Sequence, residues 1–428
     1  MIELLHKKLE EADYKVCTDS RNITPGSLFF ALKGEHFDGN QYAQDALQKG
    51  ALAVVIDNPA CHKDGCILVS NSLTALQELA RTYRQKQLFK TLALTGSNGK
   101  TTTKELIRAV LEKKFKCHVT KGNLNNHIGV PLTILSAPKD TEILVTEMGA
   151  NHIEEIEQLC QIALPDMGLI TNIGKAHLEG FGGVEGVIRA KSELYQFLMQ
   201  RKGTIFLHET DTLLKSLIKD YANVVSYGNS ESACYLKQIL AREGLSIVLS
   251  VNGEDYTLHT NLFGNYNVSN LLAALRIGLY FDIPVEDCLE ALTLYKPENN
   301  RSQFIQTGKG NSLIVDCYNA NPSSMQAALG SFQNHPSTHK ILILGSMKEL
   351  GESSEHEHLA LLNQARLIDA VECLLVGEEF SMLNLNKEKY FADTPSLINY
   401  IKKSQIENNL ILIKGSRANQ LERIIEFL

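Results

Sequence analysis

Short apolar runs alternate with amphipathic stretches along most of this chain. Runs at 27–32 and 53–56 read as strands, and 72–86 carries apolar residues at helical spacing. From residue 90 the alternation becomes regular. Strand runs fall at 91–95, 143–147, 167–172 and 204–207, with helical stretches between them. In 104–114, Leu106, Ile107, Val110 and Leu111 share one helix face; in 184–199, Val187, Ile188, Leu194, Tyr195 and Leu198 do. Continuously apolar strands separated by helices predict a mainly parallel sheet covered on both faces. Residues 245–259 break the rhythm with two strands around Asn252-Gly253, a hairpin signal. A second strand–helix series follows at 313–316, 340–344, 371–376 and 410–413, ending in a helix at 420–428. Between the two series lies Pro297-Glu298-Asn299-Asn300, polar and structure-breaking, which reads as a linker.

The pattern predicts an α/β protein of three domains: a small α/β domain at 1–87, a central domain with a mainly parallel sheet at 88–300, and a doubly wound, Rossmann-like domain at 301–428. A chain of 428 residues exceeds what one core holds. Its 44% hydrophobic and 21% charged content is that of a soluble globular protein. No apolar run approaches the roughly 20 residues of a membrane span. The first eight residues lack a signal peptide's apolar stretch, so a cytoplasmic location is expected. The net charge of −7 argues against a nucleic-acid surface. Nine scattered cysteines form no C-x-x-C pair, which predicts reduced, mostly buried thiols rather than a zinc site.

The most specific chemistry lies at Thr95-Gly96-Ser97-Asn98-Gly99-Lys100-Thr101-Thr102, between a strand run and a helical run. A strand, a glycine turn and a helix start direct several backbone N–H groups at one anion. Lys100 adds charge for the outer phosphates, and the Thr101 hydroxyl can hold Mg²⁺. The motif is the short form of a P-loop, with Leu94 where the long form has glycine. It predicts a nucleoside triphosphate.

Other candidates gather at strand ends. Glu147 closes the run 143–147, where a carboxylate can hold Mg²⁺; the alternative is an exposed strand-end glutamate. His177 follows the run 167–172 and is either a ligand or a satisfied loop histidine. Lys191, read from composition alone, is a solvated helix lysine. Asn123, Asn125 and Asn126 lie in a loop of Asn, Gly and His that suits a sugar, amide or phosphate. In 316–325, Asn321 and Pro322 have the form of a helix cap and first helical residue. Lys414 and Arg417 flank a Gly-Ser turn as a carboxylate or phosphate clamp.

Together these residues resemble the Mur ligase family, which adds amino acids or peptides to the muramic acid stem of peptidoglycan precursors. The resemblance runs through the whole chain: 95–101, 122–131, Glu147-Met148-Gly149, His177-Leu178-Glu179, Lys191, 264–270, Arg301, 316–322 and 414–417. The string Asp316-Cys317-Tyr318-Asn319-Ala320-Asn321-Pro322 is most similar to that of the members that join D-alanyl-D-alanine to UDP-N-acetylmuramoyl-tripeptide. It differs from those that add the third stem residue, meso-diaminopimelate or lysine.

The resemblance implies ATP and two Mg²⁺ as cofactors. Gly96, Ser97, Asn98, Gly99, Lys100, Thr101 and Thr102 would hold the phosphates. Thr101 and Glu147 would hold one Mg²⁺, and His177 with Lys191, as an N-carbamate, a second; Lys100, Lys191, His177 and Glu147 would be the catalytic set. Asn267 and Asn270 would lie along adenine, and Arg301 and Asp316 near phosphates and ribose. Ser20, Arg21, Lys33 and Gly34 would approach the uridine diphosphate, in the N-terminal domain. Asn123, Asn125 and Asn126 would approach the muramoyl peptide, and Asn319, Asn321, Lys414 and Arg417 the incoming dipeptide in the C-terminal domain. Tyr266 stands where relatives often have histidine. A monomer is expected, with closure of the C-terminal domain on ATP. Competing readings are the third-residue ligase, a folylpolyglutamate synthetase-like enzyme, which lacks an N-terminal segment like 19–34, and a P-loop regulator that makes no bond.

Overall fold

The computed structural model describes residues 1–240, 244–298 and 300–428; Asn299 of the expected linker lies outside the described residues. Three large sheets follow one another along the chain. The first has four parallel strands in the order Val16–Cys17, Leu28–Phe30, Ala53–Ile56, Cys66–Leu68. Its outer strands, two and three residues long, are too short to stand out in the sequence.

The second sheet has six parallel strands in the order Val224–Tyr227, Thr204–His208, Met167–Ile170, Lys90–Thr95, Ile143–Glu147, Cys117–Val119. Alternate residues feed two cores. Leu92 and Leu94 pack with Ile107 and Leu271, whereas Ala93 packs on the other side with Leu194 and Leu159. Both faces are therefore covered, as a parallel sheet demands. Helix Lys100–Leu111 begins four residues before the expected 104, at the first residue after the glycine turn. The strand expected at 167–172 ends at Ile170, because Thr171 and Asn172 turn to bind the phosphate loop.

The hairpin is present as Ser246–Val251 and Glu254–His259, with Asn252 and Gly253 both at positive φ, as a two-residue primed turn requires. A third strand, Cys234–Leu240, completes an antiparallel side sheet.

The third large sheet runs Gln303–Gln306, Ser312–Asp316, Leu410–Lys414, Lys340–Gly345, Glu372–Val376, Lys389–Phe391; its first pair is antiparallel and the rest parallel. Asn321 caps helix Pro322–Gln333 in a reciprocal box with Ser324. The last helix is not α-helical: Leu421–Phe427 winds as 3-10. Its final carbonyls are taken by tertiary donors, Phe427 O by Lys309 Nζ at 2.6 Å and Leu428 O by Asn311 Nδ2 at 2.8 Å. All nine cysteines are free, four buried and five half-buried. Among the described residues no helix is long and apolar enough to cross a membrane.

Candidate active site

At the carboxyl ends of the central strands lies a cavity of about 660 Å³ whose far wall comes from the third sheet's domain. Its floor is the phosphate loop. Gly99, at φ +78, caps helix Lys100–Leu111, and a Cβ there would stand 2.8 Å from Asn270 Oδ1. Gly96, at φ +145, would drive a Cβ into Thr171 Oγ1. Both positions need glycine. The neighbouring strand end fixes the loop. Ser97 N donates to Asn172 O at 2.9 Å, Asn98 N to Asn172 Oδ1 at 3.0 Å, and Thr171 Oγ1 to Asn98 O at 2.6 Å. Lys100 Nζ folds back to donate to Gly96 O at 2.6 Å, and burial lowers its pKa. Asn172 is the strand-end polar group expected at this edge; Thr171, which holds the loop with it, carries no signal beyond its place at the same strand end.

Glu147 is not an exposed strand-end acid: it is 2% exposed. Its backbone N donates to Thr120 Oγ1 at 2.9 Å, and Oε1 accepts from Asn125 Nδ2 at 2.8 Å. Oε2 is buried without a hydrogen-bond partner, with the buried ammonium of Lys104 at 3.9 Å. A buried carboxylate oxygen with a free lone pair, on the same cavity wall as Thr101, fits a hard cation with oxygen ligands. Lys104, wholly buried between Thr120 O (2.5 Å) and Glu105 (3.0 Å), is a further charge the sequence reading missed.

His177 lines the cavity in the left-handed conformation, φ +51. Its Nδ1 contacts the Glu349 carboxylate of the C-terminal domain, and that hydrogen bond lowers the Glu349 pKa. Lys191 is not a solvated lysine. It is 1% exposed, donates to Ala150 O at 3.4 Å, and lies 5.2 Å from the centre of the Phe181 ring. Burial, with Lys100 adding, pushes its pKa down to about 7. It sits behind the cavity wall rather than in it.

The upper wall holds Asn267 and Asn270, joined at 2.9 Å, with Arg301, Asp316, Asn319 and Asn321. Lys414 is 2% exposed and donates to Asp316 Oδ2 at 2.6 Å; Arg301 lies 3.8 Å over the Tyr318 ring. Ten of the residues lining the cavity are asparagines, Asn123, Asn125 and Asn126 among them. That is a surface of paired donors and acceptors for a polar, multiply functional substrate.

Other expected residues lie elsewhere. Arg417 does not line the cavity; its guanidinium lies 5.4 Å from the centre of the Tyr318 ring, the same ring that Arg301 covers. Ser20 and Arg21 lie in a turn of the N-terminal domain, and Lys33 and Gly34 in a hairpin; none of the four lines the cavity. There Arg21 pairs with Asp19 at 2.8 Å, holding that carboxyl down to about 2, and Lys33 pairs with Asp57 at 2.8 Å.

Family models match three consecutive segments: "Mur ligase family, catalytic domain" at 14–84, "Mur ligase middle domain" at 94–278 and "Mur ligase, glutamate ligase domain" at 300–417. The chain belongs to the Mur ligase family. It is 36% identical to UDP-N-acetylmuramoyl-tripeptide–D-alanyl-D-alanine ligase of Bacillus subtilis, over 96% of this chain and 92% of that one. Among solved structures, MurF from Acinetobacter baumannii is similar with a TM-score of 0.88 at 30% identity, covering 98% and 97% of the two chains. MurF ligase from Thermotoga maritima in complex with ADP gives 0.87 at 28%, covering 96% of each.

Proposed function

We propose that this Mur ligase joins D-alanyl-D-alanine to UDP-N-acetylmuramoyl-tripeptide with ATP, through an acyl phosphate, as a cytoplasmic monomer. The observation that carries the reading is a single cavity in which the phosphate loop faces the 316–321 string of the C-terminal domain.

A carboxylate and an amine do not condense at neutral pH, so the carboxylate must first gain a leaving group. The stem's terminal carboxylate attacks the γ-phosphorus of ATP, forming the acyl phosphate and releasing ADP. The dipeptide amine then attacks the carbonyl carbon, and phosphate leaves with the C–O bond electrons. The loop N–H groups and Lys100, drawn off Gly96 O, hold the phosphates. Thr101 and Glu147 would hold one Mg²⁺, and His177 with carbamylated Lys191 a second; bound there, they offset the repulsion between carboxylate and γ-phosphate. An amine with a pKa near 7 is half neutral at neutral pH, as attack on CO₂ requires. Asn267, Asn270, Arg301 and Asp316 take the nucleoside, Asn123, Asn125 and Asn126 the muramoyl peptide, and Asn319, Asn321, Lys414 and Arg417 the dipeptide. Residues 1–87 carry the uridine diphosphate site, with Ser20, Arg21, Lys33 and Gly34.

Mass spectrometry of the product tests the reading. Expected is the tripeptide precursor enlarged by one dipeptide less water, with one ADP per bond. ADP without incorporated dipeptide would overturn it.

A further inference from the structure

The loop that carries His177 is held from the other side of the cavity. Lys175 Nζ reaches Glu357 Oε1 at 2.6 Å, Glu179 N donates to Glu349 O at 3.4 Å, and the Glu349 carboxylate meets His177 Nδ1. All three contacts reach the C-terminal domain, at Glu349 and Glu357, 170 to 182 positions along the chain. His177 and Glu349 both adopt positive φ, +51 and +61, which non-glycine residues take only when their surroundings impose it. The contact is therefore built on two specified backbones rather than on two free side chains. From His177 the packing continues inward: its ring meets Phe181 edge-on at 6.4 Å, and the Phe181 face carries Lys191 Nζ.

An imidazole whose Nδ1 is engaged by a carboxylate carries its proton there and keeps the Nε2 lone pair free. We propose that Glu349 is a positioning residue: by docking on Nδ1 it fixes the His177 tautomer that can bind a cation, so the second metal site is complete only when the C-terminal domain is seated. The inference rests on the reading of His177 as a metal ligand. It gives closure a chemical consequence at the reacting centre. An open enzyme would hold a histidine free to take either tautomer, and would be less able to activate the stem carboxylate before the dipeptide's domain has arrived.

The test compares the full-length wild type with Glu349→Ala, Glu349→Gln and Lys175→Met. Glu349→Gln keeps an oxygen acceptor for Nδ1–H. Lys175→Met removes a neighbouring anchor without touching His177. The first readout is the tautomer of His177 by ¹H–¹⁵N NMR on histidine-labelled protein without metal or nucleotide, assigned by its loss in His177→Asn. The second is Mn²⁺ binding followed by electron paramagnetic resonance in the presence of a non-hydrolysable ATP analogue. Expected in the wild type is Nδ1–H. Glu349→Ala should shift His177 toward Nε2–H and weaken the second Mn²⁺ roughly tenfold or more, leaving the first unchanged. Glu349→Gln should restore the tautomer and most of the affinity. An unchanged tautomer and Mn²⁺ affinity in Glu349→Ala would overturn the inference, as would an equal loss in Lys175→Met, which would reduce the contact to domain docking. Neither readout uses the dipeptide, so a failure of the ligase reading leaves them standing and is told apart from theirs.

Discussion

Asn321 Nδ2 donates to Asn98 Oδ1 at 2.8 Å, joining the helix cap of the C-terminal domain to the tip of the phosphate loop across 223 positions of chain. Asn98 Nδ2 donates to Ser323 Oγ at 3.3 Å in the same place. The loop proposed to hold the nucleotide is thus also a docking point for the C-terminal domain, to which the dipeptide is assigned. Asn98→Ala removes both bonds but leaves the backbone pinned by Thr171 and Asn172. At about 1 kcal/mol per bond, kcat/KM for ATP should fall roughly ten- to thirtyfold. Small-angle scattering with an ATP analogue should show a larger radius of gyration than wild type, with unchanged circular dichroism. Kinetics and scattering like wild type would contradict the docking role.

The two loop glycines should tolerate no side chain. In Gly96→Ala, the new Cβ meets Thr171 Oγ1, the group that holds Asn98 O. Calorimetric titration should show ATP-analogue binding lost. Gly182, also at positive φ (+70) but with open space around it, is the control. Gly182→Ala should cost about 1 kcal/mol of stability and leave nucleotide binding intact.

Lys191 carries a pH signature. Its folded pKa is depressed from 10.5 to about 7, so below pH 7 both folded and unfolded states are protonated and the folded state bears the full cost of a buried ammonium. Between about 7 and 10.5 the unfolded state binds more protons, and stability rises with pH by up to about 1.4 kcal/mol per unit. In CO₂-free buffer, Lys191→Met should be more stable than wild type at pH 6, with the gap narrowing by pH 9, and should be inactive. Denaturant melts at the two pH values give the sign. A gap that is absent at pH 6 or widens with pH would refute the assignment.

Glu147→Gln keeps a group able to accept from Asn125 and replaces the unpartnered Oε2 with an amide. It should lower Mg²⁺ affinity at least tenfold, read as the Mg²⁺ dependence of ATP turnover, while thermal stability changes by less than about 2 kcal/mol. Loss of folding instead would make Glu147 a structural acid paired with Lys104.

Much of this is legible in the sequence. The central strands were readable because burial on both faces leaves continuous apolar runs, as at 143–147. The phosphate loop was readable because its conformation demands residue types, glycine at 96 and 99 above all. Short edge strands such as Cys117–Val119 and Lys389–Phe391 were not, since three residues show no period. Lys191 could not be read as buried, because helix Val184–Gln200 turns three consecutive polar residues, Lys191, Ser192 and Glu193, inward against its amphipathic pattern. Nor could the partners of His177 and Asn98 be found, because Glu349 and Asn321 approach them only through the packing of two domains. The cavity gathers most of the expected nucleotide and peptide residues, whereas Ser20, Arg21, Lys33 and Gly34 lie apart on the N-terminal domain.

The central claim is tested most directly by phosphate release from ATP with UDP-N-acetylmuramoyl-tripeptide, comparing D-alanyl-D-alanine with meso-diaminopimelate and L-lysine as acceptors. The diamino acids are also offered with the dipeptide stem, and Lys100→Ala is the control. The account predicts turnover with D-alanyl-D-alanine alone, lost in Lys100→Ala. Turnover with a diamino acid on the dipeptide stem, and none with D-alanyl-D-alanine, would contradict it.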